Sequence, residues 1–295
     1  MSFFKKDHQA KVSEFSIASA GITDIGKIRD HNEDAYTIHE ELGLFIVADG
    51  MGGHQAGEIA SEIIIETLPG LVKNELEVMT VEAQDEQVEL ALTRSLAKLN
   101  SLVYEKSREI PQLHGMGATV VACLIHVSNA IIAHMGDSRA YLLRGNSFER
   151  LTHDHSVVDV LLQMGRITPQ QAVNHPIRNQ ITRHVGMNSN MGADSAYLKI
   201  KQGDKLLLCS DGLTNELSDR QIGEIIFNNN NLQEACNTLL SCANASGGRD
   251  NITAVIIEVI GRAVNKKEIN GKIVVKKKIG RSLHNIQRKD KIPNY

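Results

Sequence analysis

The sequence predicts a layered α+β fold, in which strands are grouped with strands and helices with helices. Three short β-rich runs follow one another at 117–127, 130–136 and 139–145, which is typical of an antiparallel meander. Two helical segments, 218–227 and 231–245, are likewise adjacent. This grouping favours an α+β architecture over a doubly wound parallel sheet.

The first half of the chain predicts a buried strand and two helices. The apolar run 44-LFIVAD-49 ends in an aspartate and suits a buried strand. Segment 55–68 has helical spacing, carried by Ile59, Ile63 and Thr67. Segment 85–108 predicts a long amphipathic helix with one apolar face, made of Val88, Leu92, Leu96, Leu99 and Val103.

The region from 150 to 193 has a different character from the segments on either side. It has scattered charge, four histidines and a helix start at Thr168-Pro169, and it predicts an inserted helical flap. Two further strands are predicted at 196–200 and 205–210, and a closing strand at 252–260.

Composition indicates a globular chain and argues against a disordered, disulfide-bonded or membrane-spanning one. A hydrophobic content of 42% and only five prolines in 295 residues will build a core. Absent tryptophan and 4% aromatic residues leave few platforms for stacking nucleic-acid bases. Four dispersed cysteines without a C-x-x-C pair indicate reduced thiols. With no signal-peptide pattern and no run long enough to span a bilayer, we expect a cytoplasmic protein.

Charge divides the sequence near Gly261. Residues 262–295 carry eleven Lys and Arg against two acidic residues, a net +9, whereas the rest of the chain holds −12 of the total −3. We therefore predict an N-terminal extension (1–14), an acidic body (15–261) and a basic C-terminal extension (262–295). The basic extension is predicted to contact an acidic partner or an anionic surface.

Five separated stretches place an aspartate beside glycine or another small or polar residue. Hard divalent cations prefer oxygen ligands, so carboxylates gathered from distant strand ends predict a Mg²⁺ or Mn²⁺ site. Arg29 lies just upstream of the first stretch, which indicates chemistry on a phosphate. Each stretch alone is also typical of a simple turn. They are 32-NEDA-35, 48-ADGMGGH-54, 136-GDSRAY-141, 210-SDGL-213 and 250-DNIT-253.

The ordered set resembles the metal-dependent serine/threonine protein phosphatases of type 2C, in their bacterial form. The resemblance covers roughly residues 15–260 and implies a four-layer αββα sandwich of two antiparallel sheets flanked by helices, with a dinuclear metal site at one end. Its motifs, in the family's order, are 26-GKIRDHNEDA-35, 48-ADGMGGHQAGEIAS-61, 115-GMGATVV-121, 136-GDSRAYL-142, 151-LTHDHS-156, 210-SDGL-213 and 250-DNITAV-255.

The resemblance also implies roles for individual residues. Asp49 matches the aspartate that bridges two Mn²⁺ or Mg²⁺ ions, and Gly50 the glycine that offers its carbonyl. Asp211 and Asp250 match ligands of the first metal, and Asp137 belongs to a third, weaker site. Glu33 and Asp34 match residues that bind metal-bound waters. Arg29 matches the arginine that binds the substrate phosphate. A water shared by two cations about 3.5–4 Å apart becomes acidic enough to attack phosphorus.

One position departs from the family's eukaryotic pattern. Met51 stands where a histidine often serves as general acid, and a thioether cannot donate a proton. The role is left to His54, to a flap histidine (His155 or His175), or to a metal-bound water, which we favour.

The sequence argues against other phosphatase chemistries. A thiolate enzyme needs Cys-x₅-Arg, but six residues separate Cys242 from Arg249. No P-loop and no HExxH motif are present. As the resemblance implies, we predict a monomeric phosphatase that acts on phosphoserine and phosphothreonine in proteins and opposes a Ser/Thr kinase in bacterial signalling. The alternatives are a pseudophosphatase acting as a binding module and a hydrolase of small phosphate esters.

Overall fold

The computed structural model describes residues 15–52, 56–79, 84–173 and 175–262. Spatial contacts divide the chain into two compact units, residues 1–261 and residues 262–295, and the architecture below is that of the first. The predicted N-terminal extension, and the basic C-terminal extension beyond Arg262, lie outside the described residues. Within the described residues, no helix has both the length and the apolar character needed to cross a bilayer.

The strands build two antiparallel sheets. In chain order the described strands are β1 (Phe15–Asp24), β2 (Asp34–His39), β3 (Leu44–Met51), β4 (Gly117–Ala118), β5 (Val120–His126), β6 (Asn129–Met135), β7 (Arg139–Arg144), β8 (Ser147–Arg150), β9 (Asp194–Lys199), β10 (Lys205–Cys209) and β11 (Ile252–Arg262). One sheet has the order β1-β11-β10-β7-β8. The other has the order β2-β3-β5-β6-β9, with the short β4 beside β3.

Helices cover the outer face of each sheet. The described helices are α1 (Ala56–Glu77), α2 (Asp85–Glu109), α3 (Val157–Gln163), α4 (Pro169–Val173), α5 (Asp211–Thr214), α6 (Asp219–Asn228) and α7 (Leu232–Ser246). Local signals account for several helix starts. Ser218 and Gln221 form a capping box at α6, and the Asn231 side chain accepts a hydrogen bond from the Glu234 amide at α7.

The core has three apolar layers: one between the two sheets and one between each sheet and its helices. They explain why the central strands are continuously hydrophobic. On β3, Phe45 and Val47 pack between the two sheets, whereas Leu44 and Ile46 pack against α1 and α2. On β10 and β11, Leu207 and the residues of its face pack against α6 and α7. A strand with both faces buried has no polar alternation. The αββα sandwich implied by the resemblance is therefore confirmed.

The structure corrects two details. The predicted meander breaks at its third strand, because β6 pairs with β5 and β9 whereas β7 pairs with β10 and β8 in the other sheet. The crossing occurs at Gly136, whose φ of +117° suits glycine. On α1 the buried face is one position away from Ile59, Ile63 and Thr67. It includes Ala56, Ala60, Ile64, Leu68 and Val72.

Candidate active site

Strand ends from both sheets bring the sequence-predicted carboxylates together. Asp49, near the end of β3, lies directly opposite Asp34 at the start of β2, and residues opposite each other in a sheet share a face. Asp211 follows β10, and Asp250 precedes β11. Asp137 follows Gly136 at the crossing between the sheets.

The pKa of Asp49 reflects the charges of the carboxylates around it. Its pKa is raised well above the usual range, first by burial and then by the charges of Asp34, Asp211, Asp137 and Asp250. Burial also raises the pKa of Asp34, although hydrogen bonds from Ser210 and Thr253 oppose that shift. The site is therefore a partly buried cluster of carboxylates that repel one another.

The oxygen atoms of this cluster fit hard divalent cations. Asp34 Oδ1 and Asp137 Oδ1 are buried and have no hydrogen-bond partner among the described residues. Such acceptors are costly unless a donor or a cation reaches them. In the described part of the chain, no three His, Cys, Asp or Glu side chains are grouped closely enough to hold a metal by themselves. Backbone carbonyls and water would have to complete any coordination shell.

Arg29 lies at the rim of the cluster. Its Nη2 donates a hydrogen bond to Asp250 Oδ2 at 2.8 Å, while its side chain is 48% exposed. Glu33 lies near it, since the Arg29 charge partly opposes the rise that burial causes in the pKa of Glu33. Gly50 is buried and donates its backbone N–H to the Glu33 carbonyl at 3.1 Å. A half-exposed cation thus lies beside a partly buried acidic cluster.

The comparisons with known proteins decide the family. Residues 28–255 match the family model described as Protein phosphatase 2C. The chain belongs to the protein phosphatase 2C family. A serine/threonine phosphatase, stp, of Listeria welshimeri is 38% identical over 239 residues, which cover 80% of this chain and 93% of that protein.

Two solved structures of serine/threonine phosphatases are also similar. The Streptococcus agalactiae serine/threonine phosphatase has a TM-score of 0.75 at 34% identity, over 83% of this chain and 100% of that one. The catalytic domain of the phosphatase PstP, in complex with two manganese ions, has a TM-score of 0.70 at 32% identity, over 83% of this chain and 98% of that one. The predicted enzyme class, a protein serine/threonine phosphatase, is confirmed.

Among the general-acid candidates of this protein phosphatase 2C, the described histidines are unsuited. Both ring nitrogens of His155 are engaged, because Nδ1 accepts from the Gly136 amide at 3.0 Å and Nε2 lies 3.1 Å from Asp194 Oδ2. Burial lowers the pKa of His155, which favours a neutral ring. His175 lies in the flap and accepts from the Ile177 amide at 3.4 Å. His54 lies outside the described residues.

Two residues that support the site were not predicted from the sequence. The Ser210 hydroxyl is buried and donates to Asp34 Oδ2 at 2.7 Å, joining the end of β10 to β2 in the other sheet. The Asn251 side chain contacts the loop between β1 and β2. Both residues adjoin a predicted ligand in the sequence, Asp211 or Asp250. That adjacency is the one signal that could have indicated them.

Proposed function

We propose that this protein phosphatase 2C hydrolyses phosphoserine and phosphothreonine on proteins with bound Mn²⁺ or Mg²⁺. The observation that carries the proposal is the cluster of carboxylates around Asp49. Burying several like charges together is unfavourable unless cations neutralise them. The two manganese ions in the related PstP structure support the same conclusion.

The proposed ligands are the residues that the resemblance indicates. Asp49, Asp211, Asp250 and the carbonyl oxygen of Gly50 would hold the two principal cations. Asp137, whose buried Oδ1 has no hydrogen-bond partner among the described residues, serves a third and weaker site. All of these ligands are oxygens, as Mg²⁺ and Mn²⁺ prefer.

The protein's own groups position the reactants. When bound, the cations supply charge that acidifies the attacking water and offsets negative charge on the phosphate. Arg29 binds the substrate phosphate, because its half-exposed guanidinium presents several N–H donors and matches two phosphate oxygens at once. Glu33 and Asp34 accept hydrogen bonds from water molecules and orient them. Ser210, by donating to Asp34 Oδ2, leaves Oδ1 as the acceptor available for water.

The cysteines of the described chain do not offer a rival nucleophile. Cys242 lies within α7, and burial raises the pKa of the Cys236 thiol in the same helix to about 11. A thiol with such a pKa is protonated at neutral pH and is a poor nucleophile. Cys242 lies inside α7 rather than in a phosphate-binding loop, and six residues separate it from Arg249, so the proposed hydrolysis uses no covalent phosphocysteine. A Ser/Thr kinase that phosphorylates the same proteins is the proposed functional counterpart of this monomeric enzyme in bacterial signalling.

Hydrolysis of phosphoserine, phosphothreonine and phosphotyrosine peptides, with Mn²⁺ or with EDTA, tests the proposal. We expect turnover of the first two peptides with Mn²⁺ and none with EDTA. The substitution Asp49→Asn should abolish turnover. The matched control is Asp204→Asn, which alters a carboxylate that is 2% exposed at the opposite end of β10.

Three results would contradict the proposal. Turnover that survives EDTA or Asp49→Asn would exclude the metal-dependent mechanism. Hydrolysis of p-nitrophenyl phosphate without hydrolysis of any phosphopeptide would indicate a small-ester hydrolase. Phosphopeptide binding without turnover would indicate a pseudophosphatase.

A further inference from the structure

Arg29 lies on the loop that joins β1 to β2, and this loop rests on the segment that enters β11. The Lys27 amide donates to the Gly248 carbonyl at 2.7 Å. Gly26 has a φ of +80°, and a Cβ at this position would collide with the carbonyl oxygen of Asp250. The two backbones are therefore in direct contact, and only glycine permits that approach.

The side chain of Asn251 holds this loop at three points. Its Nδ2 donates to the Ile25 carbonyl at 3.0 Å and to the His31 carbonyl at 2.9 Å. Its Oδ1 accepts from the Glu33 amide at 2.8 Å. Asn251 is 5% exposed, and both of its N–H donors and its carbonyl oxygen are in use.

The three contact points bracket Arg29. Ile25 precedes it and His31 follows it, so a single amide fixes the backbone on both sides of the arginine. Among the described residues, the guanidinium of Arg29 has one hydrogen-bond partner, Asp250. The direction in which the arginine points thus depends on its backbone, which Asn251 holds together with the bond from the Lys27 amide to the Gly248 carbonyl.

We propose that Asn251 is a positioning residue that keeps the phosphate-binding arginine and Glu33 in register with Asp250. This inference rests on the proposed function, because it assigns Asn251 to the orientation of the Arg29–phosphate contact. Asn251 contacts no substrate itself. Loss of its amide would let the loop shift relative to Asp250, and a displacement of about 1 Å in a positioning group can reduce a rate about 100-fold.

The chain offers a matched control in Asn100 on α2. Asn100 is 0% exposed, and its Nδ2 donates to the Asn188 and Met191 carbonyls at 2.7 and 3.3 Å. Its Oδ1 accepts from the Gly186 amide at 2.8 Å. Asn100 therefore makes the same three kinds of bond to a loop that carries none of the site residues. Asn100→Ala and Asn251→Ala remove equivalent interactions, and only the second releases Arg29.

The experiment measures binding and turnover separately for the wild type, Asn251→Ala, Asn100→Ala, Arg29→Ala and the double variant Arg29→Ala/Asn251→Ala. Calorimetry with inorganic phosphate, in Mn²⁺, gives binding without requiring turnover. We expect both asparagine variants to lower the Tm by similar amounts. Asn251→Ala should also weaken phosphate binding and lower kcat/KM about 10- to 100-fold, whereas Asn100→Ala should leave both near wild type. In the Arg29→Ala background, Asn251→Ala should weaken phosphate binding no further.

Several outcomes would overturn the inference. One is an Asn251→Ala variant that binds phosphate as well as Asn100→Ala does. Another is an effect that adds fully to that of Arg29→Ala. If Asn251→Ala does not fold, Asn251→Ser replaces it, and failure of both while Asn100→Ala folds would assign Asn251 to folding alone.

The proposed hydrolysis can be refuted while the inference about Asn251 still stands. A wild type that binds phosphate but hydrolyses nothing refutes the hydrolysis and leaves the comparison of asparagine variants in force. A wild type that binds no phosphate and hydrolyses no phosphopeptide overturns both.

Discussion

Replacing Asp49 should separate the stability of the fold from its response to metal. Asp49 is surrounded by four other carboxylates whose charges, together with burial, raise its pKa. Asp49→Asn removes a carboxyl group that in the metal-free protein either carries a repelling charge or takes up a proton, and it keeps the shape of the side chain. We therefore expect the metal-free variant to be at least as stable as the metal-free wild type, although its activity is lost.

The expected magnitude follows from binding linkage. A ligand present at 100 times its dissociation constant stabilises the folded state by about 2.7 kcal/mol. For a domain of roughly 250 residues this corresponds to a rise in Tm of about 5–10 °C. The wild type should show this rise in Tm when Mn²⁺ is added. Asp49→Asn should abolish most of the rise, because the proposed metal ligand Asp49 has been replaced.

Thermal unfolding in EDTA and in Mn²⁺ measures both quantities. The control Asp204→Asn should behave in the opposite way. Asp204 accepts two hydrogen bonds from Arg144, at 2.9 and 2.6 Å, so its loss should lower the Tm in EDTA while the Mn²⁺-induced rise persists. A full Mn²⁺-induced rise in Asp49→Asn, or an unfolded metal-free variant, would refute the assignment of Asp49 as a ligand.

Three further predictions concern the surroundings of the cluster. Arg29→Ala should raise KM for a phosphothreonine peptide while Mn²⁺ affinity, measured by calorimetry, stays near wild type; a large loss of metal affinity would make the arginine structural. His155→Ala should reduce the free energy of unfolding by about 1–3 kcal/mol in urea, since the buried Gly136 amide loses its acceptor, and an unchanged midpoint would contradict this. A chain ending at Gly261 should keep its turnover of p-nitrophenyl phosphate and lose salt-sensitive binding to anionic vesicles; loss of turnover would make the tail part of the fold.

Much of the architecture could be predicted because the elements carry local signals. The face of α2 formed by Val88, Leu92, Leu96, Leu99 and Val103 is fully buried, as its spacing predicts. The apolar run of β3 is buried on both faces. Helical and strand periods are properties of the backbone, so they are visible in sequence wherever one face is distinctly more apolar.

Other features could not be predicted, because they depend on what lies opposite each residue. On α1 three isoleucines follow one another at 63–65, so the sequence offers more than one apolar face, and the sheet beneath the helix selects Ala60, Ile64 and Leu68 rather than Ile59 and Ile63. The sequence also could not show that β7 joins the other sheet, beside β10 and β8, rather than β6. A short turn of the type at Gly136 can join neighbours in one sheet or carry the chain into the other.

For the site, the sequence alone determined the residue types and their order, and through them the family. Oxygen ligands at strand ends and an arginine near them are chemical requirements that a sequence displays directly. Only the tertiary structure decided that Asp34 faces Asp49 across a sheet and that Ser210 reaches Asp34 from the other sheet. It also decided that Asn251 holds the loop of Arg29, because hydrogen bonds between residues more than 200 positions apart exist only once the sheets have packed.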